Sequence, residues 1–178
     1  LSYARSVVVK PFWRHYTRYL QFSAYMDWRK CRMAAAGQSE TPEVLKLMSR
    51  AIELCRRALR LKYPDRPSFQ RLNKMIINDL AYYLAMTGSE ENVSEAILLI
   101  ERIPDESDVA SWFDTKGYVQ FVRARFQKEA ERTPTLEKSI NYYSHALKIE
   151  PGREISRQGL VSAIEEYVKT GLLPFGKP

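Results

Sequence analysis

The chain has 178 residues, 45% of them apolar and 28% charged, with 7 Gly and 9 Pro. That is the balance of a soluble globular protein of one domain or a short repeat array, with too little turn material for a many-stranded β fold. The longest apolar run, Leu80 to Met86, covers seven residues, which excludes a bilayer-spanning helix, and the formal net charge of +7 is unevenly spread.

Residues 1–75 carry 16 Lys/Arg against 5 Asp/Glu, whereas residues 76–178 carry 12 against 16. Between 76 and 110 the only basic residue is Arg102, among eight carboxylates. A basic front beside an acidic middle steers oppositely charged partners, here nucleic acid or an acidic protein surface, against the plainer reading of solvated helix faces. The first residues lack a signal-peptide core, and the start at Leu1 is read as a domain cut from a larger protein. Cys31 and Cys55 are too few for a disulfide scaffold, no CxxC pair holds zinc, and this usage fits a reducing, cytoplasmic setting.

In chain order, the first predicted helix spans 12–38 and is crowded with aromatics. From Trp13 these recur every third residue through Tyr16, Tyr19, Phe22, Tyr25 and Trp28. Each step of three falls about 60° short of a full helical turn, so the aromatics travel around the axis and one-sided packing cannot bury them all. Arg14, Arg18, Arg29, Lys30 and Arg32 are interleaved with them. Three readings follow: a long helix wedged under the first repeat with snorkelling arginines, a surface for another domain or copy, or a basic and aromatic surface (Trp13, Arg14, Arg18, Arg29, Arg32) for nucleic acid.

The next helices are expected at 41–63, 70–88, 92–103, 108–132 and 134–149, with a closing helix at 153–169 and a short Gly/Pro tail. Thr41-Pro42 and Thr133-Pro134 read as an N-cap followed by proline in the first turn, and Gly88 as a C-terminal stop. Self-similarity links them. Ala51, Cys55, Ala58 and Leu59 recur as Ser139, Tyr143, Ala146 and Leu147, each set followed by a proline, and a shorter copy runs from Ala96 to Ile103 before Pro104. Steps of four, three and one define one helical face, and the leading small residues lie 45 and then 43 positions apart. Gly117 inside a helix costs about 1 kcal/mol against alanine, which a close helix crossing would justify.

At these residues the chain resembles the tetratricopeptide-repeat family, through NDLAYYLAMTG, EAILLIERI and WFDTKGYV, over about residues 41–151. The resemblance implies an all-α, right-handed solenoid of antiparallel helix pairs. It covers three repeats, with 153–169 as capping helix. The chain departs from the usual spacing by about ten extra residues between Gly117 and Ser139, read as lengthened helices, and HEAT-like repeats are the alternative. The resemblance also implies a concave groove lined by the first helix of each pair, here Asn78, Tyr82, Asp114, Tyr118 and Phe121, with core burial the competing reading for the two tyrosines.

Family members that clamp acidic chaperone tails do so with cations, whereas these stretches offer Asp79 and Asp114, so a basic or neutral peptide is expected instead. His15 and His145 lie far apart, and no phosphate loop, GxGxxG, HExxH or GxSxG occurs. The expectation is therefore a non-catalytic scaffold or regulatory module that binds a protein or peptide partner and needs no cofactor or metal. The alternatives are RNA binding through the basic half and self-association through the aromatic helix.

Overall fold

The computed structural model describes residues 17–21, 23–27, 42–61 and 67–170. Every regular element among them is helical: α1 (residues 17–21 and 23–27), α2 (Pro42–Leu59), α3 (Pro67–Met86), α4 (Glu90–Ile100), α5 (Ala110–Arg123), α6 (Glu129–Ile149) and α7 (Glu154–Lys169), with a 3-10 turn at Ala124–Phe126. The all-α expectation holds. No described helix is long and apolar enough to cross a membrane. The chain divides into two compact units, 1–83 and 84–178, and the division falls inside α3.

In the first unit, α1 buries Thr17, Leu20, Ala24 and Asp27, a stripe at helical spacing, while Tyr19 and Tyr25 are exposed. The buried stripe thus holds no aromatic, and these two members of the aromatic series stand outside it. Asp27 receives Arg50 of α2 at 3.1 Å, and Asp79 of α3 accepts a hydrogen bond from Gln21 Nε2 at 3.1 Å. On α2, Ala51, Cys55 and Ala58 are fully buried, as the four-three spacing requires.

The second unit begins where α3 ends. Gly88 takes φ +66°, and its N–H donates to the Ala85 carbonyl, so the glycine stop expected from sequence is a left-handed helix end. Ser89 then caps α4 by accepting from the Asn92 N–H, and Glu90 and Glu91 face the positive end of the helix dipole. The small-large-large face of α4 is buried at Ala96 and Ile100 and continues into Ile103.

Two boundaries differ most from the sequence reading. The helix expected at 108–132 stops at Arg123, and α6 starts at Glu129, so Thr133 is a buried interior residue rather than an N-cap. Pro134 is tolerated because, as the sixth helical residue, it forfeits a single backbone bond close to the helix start. Part of the extra length before Ser139 is therefore an added turn of α6, now 21 residues long.

The packing centre of this unit is Tyr143 of α6. Its ring, 3% exposed, lies where a β-carbon on Gly117 of α5 would meet it at 3.0 Å, and where one on Gly159 of α7 would overlap it. Ser139, one turn earlier, donates its hydroxyl to the Gly117 carbonyl at 2.8 Å. One aromatic thus fills the space that two glycines vacate. It lets α6 pack closely on both α5 and α7, which also touch each other. Gly159→Ala is expected to cost about 1–3 kcal/mol by overpacking, although alanine favours helix. Gly117→Ala should cost less, because about 1 kcal/mol of propensity offsets the milder contact. Urea denaturation of both variants checks this; a raised midpoint for Gly159→Ala would remove the wedge from the account.

Candidate functional site

The expected groove residues fall into both units, and each is taken within its own. On α3, Asn78 is buried, and its Oδ1 has no hydrogen-bond donor among the described residues; Tyr82 is half-buried, edge-on to the buried Tyr83 at 6.3 Å. Asn78 is therefore an interior residue here and not an open backbone-binding position. Next to it, the Asp79 carboxyl is pushed above the ordinary aspartate value by burial, and the hydrogen bonds from Gln21 and Asn78 only partly oppose this. Burial, with Asp79 close by, likewise drives the Cys55 thiol and the Tyr83 phenol up. Thiol, phenol and carboxylic acid are all kept towards their neutral forms, which is core chemistry rather than an activated nucleophile.

On α5, Asp114, Tyr118 and Phe121 share one face through steps of four and three. Asp114 is 6% exposed and holds the start of α7: Oδ2 accepts from Arg153 Nε, and Oδ1 accepts from the Ser156 hydroxyl. It is a tie between helices, which corrects its expected place as an open groove carboxylate. Tyr118 and Phe121, one and two turns on, are half-exposed, and the Arg125 guanidinium lies over the Phe121 ring at 5.0 Å. Glu166 of α7 is held below the usual carboxylate range, first by a hydrogen bond from Lys169, with Arg132 and Arg125 adding to it. This face of the second unit thus offers two aromatics, with a cation stacked on one and balanced by a nearby carboxylate.

Sequence reasoning missed Lys116. The residue is 3% exposed; Nζ donates to the Ile103 carbonyl at 2.7 Å and to Asp105, and sits 5.5 Å from the Tyr142 ring centre. A lysine beside Gly117 reads as solvent-facing, and the acidic loop before α5 was the only signal against it. His145 is half-buried and packs on Phe113, ring centres 4.1 Å apart. A recess of about 320 Å³ lies where α4 meets the α5–α6 corner. Val93, Ile97 and Phe126 form its apolar wall, and Glu90, Glu131 and Arg123 mix both signs at its edge.

Of the basic and aromatic set, Arg18 is exposed on α1; Trp13, Arg14, Arg29 and Arg32 lie outside the described residues, as do His15 and Cys31. Among the described residues no group of three or more His, Cys, Asp or Glu is placed to hold a metal ion. No protein-family model, curated protein or solved structure matches this chain.

Two variants separate structural roles from surface ones. Asp114→Ala should lower stability by about 1–3 kcal/mol, because Arg153 and Ser156 lose their buried acceptor; thermal unfolding measures it, and an unchanged midpoint would return Asp114 to the surface. For Asp79 the sign follows from its raised folded value. Ionising it costs more in the folded chain, so its contribution to stability is greatest below about pH 4. That contribution fades as pH climbs through the window up to the folded value. Asp79→Asn keeps an acceptor for Gln21 and should raise the midpoint at neutral pH and flatten the pH dependence; a lower midpoint at pH 7 would show that the charge is needed.

Proposed function

We propose that this chain is a non-catalytic interaction module of tetratricopeptide-repeat type, a scaffold or regulatory domain that captures a peptide or protein segment. The observation that carries the reading is the burial of the recurring face. Ala51, Cys55 and Ala58, then Ala96, Ile100 and Ile103, then Ser139, Tyr143 and Ala146 are all 8% exposed or less. Three segments spaced by about 44 residues each bury a face that starts on a small residue and continues at steps of four and three, the signature expected of stacked helix pairs. In the second unit α5 packs on α6 and on α7, the relation of a first helix to its own partner and to the next first helix.

The partner-binding face is the α5 side bearing Tyr118 and Phe121, since rigid aromatics supply contact area at small entropic cost. The carboxylates of the acidic middle favour a basic or neutral segment. Support for the non-catalytic part comes from the titratable groups: Asp79, Asp114 and Lys116 are spent on internal contacts.

A second reading has an observation of its own. Lys46, Arg50 and Arg57 of α2, with Arg60 just after it, are exposed along one side and suited to phosphates, with Arg50 paired to Asp27 and Arg60 to Glu53. Affinity capture from cell extract at low and high salt, with and without nuclease, distinguishes the two. A groove partner survives both treatments, whereas nucleic acid is released by salt. Tyr118→Ala and Phe121→Ala should each weaken the captured partner about tenfold with helical circular dichroism intact. Undiminished capture by both variants would overturn the groove assignment.

A further inference from the structure

The recess beside α4 gathers charges that the rest of the second unit leaves unanswered. The Arg123 guanidinium and the Glu90 and Glu131 carboxylates line it, and none of these three groups has an ion pair or hydrogen bond among the described residues. Other charged groups of this unit are paired: Arg132 and Lys169 hold Glu166, and Lys116 holds Asp105. Three elements supply the unanswered charges. Glu90 opens α4, Arg123 closes α5, and Glu131 lies in the first turn of α6. The wall they surround is apolar, formed by Val93, Ile97 and a Phe126 that is 40% exposed.

This lining defines the chemistry of an occupant. Both carboxylates stand at helix N-termini, whose positive ends offset part of their charge. With Arg123 added, the recess is close to neutral overall, while its poles stay separate. A purely cationic ligand meets Arg123 and two positive helix ends, and a purely anionic one meets two carboxylates. A neutral molecule that carries both poles answers both signs. Its ammonium group serves Glu90 and Glu131 and its carboxylate serves Arg123, through charge-assisted hydrogen bonds. Val93, Ile97 and Phe126 then cover an apolar side chain. The volume of about 320 Å³ lies at the lower end of small-molecule sites, which suits one such molecule.

We infer that this recess binds a free apolar α-amino acid in its zwitterionic form, so that the chain carries a small-molecule site besides its partner-binding face. The site lies wholly within the second unit and depends on neither the repeat reading nor the aromatic face of α5. Because its groups come from three helices, the ligand ties α4 to the α5–α6 corner and raises the unfolding midpoint by mass action.

The test titrates the isotope-labelled full chain with L-leucine, L-phenylalanine, N-acetyl-L-leucine and L-leucinamide at millimolar concentration. Nuclear magnetic resonance follows the backbone amides of Val93, Ile97, Phe126 and Gln127. L-leucine or L-phenylalanine should shift them saturably, and the two leucine derivatives, each lacking one pole, should bind about tenfold more weakly than L-leucine. Arg123→Gln should weaken L-leucine about tenfold and leave L-leucinamide unchanged. Glu131→Gln should weaken L-leucine and leave N-acetyl-L-leucine unchanged. No saturable shift with either amino acid overturns the proposal. So does equal binding of L-leucine and both derivatives, which assigns the recess to an apolar side chain of a partner. Tighter binding of L-leucinamide than of L-leucine overturns it too and points to a cationic ligand. The groove reading fails separately, through extract capture that Tyr118→Ala and Phe121→Ala leave undiminished, and Tyr118→Ala should leave amino-acid binding unchanged.

Discussion

Close approach of helices in the second unit depends on steric room for a single ring. Tyr143 occupies space that any residue larger than glycine at 117 or 159 would contest, and a helix carrying glycine gives up about 1 kcal/mol of intrinsic preference at each site. That cost is offset by burying a large aromatic of α6 against both α5 and α7. The polar ties then have fixed partners. Ser139 reaches the Gly117 carbonyl because the crossing is tight, and Asp114 can hold both Arg153 and Ser156 because α7 starts beside α5.

Lys116 belongs to the same logic. Burying an ammonium group is costly unless it is paired and hydrogen-bonded. Its position one residue before the glycine directs it to the loop between α4 and α5, where Ile103 offers a carbonyl and Asp105 a carboxylate. The acidic loop read from sequence as part of a polarity is, at Asp105, also an internal counter-charge. The aromatic face at Tyr118 and Phe121 is what remains open on α5 once its other sides meet α4, α6 and α7.

Helix existence and most of the core were legible before any coordinates, because both are periodic. The small-large-small steps on α2 and α6 put Ala51, Cys55, Ser139 and Tyr143 inside, and Gly88 ended α3 as a left-handed stop. Boundaries were less legible. Proline after threonine at 133–134 is a strong local start signal, but the tertiary burial of Thr133 and Leu136 drew the preceding residues into the same helix. Site residues were the least legible. A carboxylate such as Asp114 looks the same in sequence whether it faces a groove or an arginine 39 residues away, and only packing decides.

The burial of Cys55 has a consequence for chemistry in time rather than in space. Its sulfur has no exposure, and its thiolate is strongly disfavoured, so alkylating reagents and oxidants reach it only when the helices around it part. The rate at which this thiol is modified is then set by how often the first unit opens, and the side chain acts as a built-in clock for that breathing.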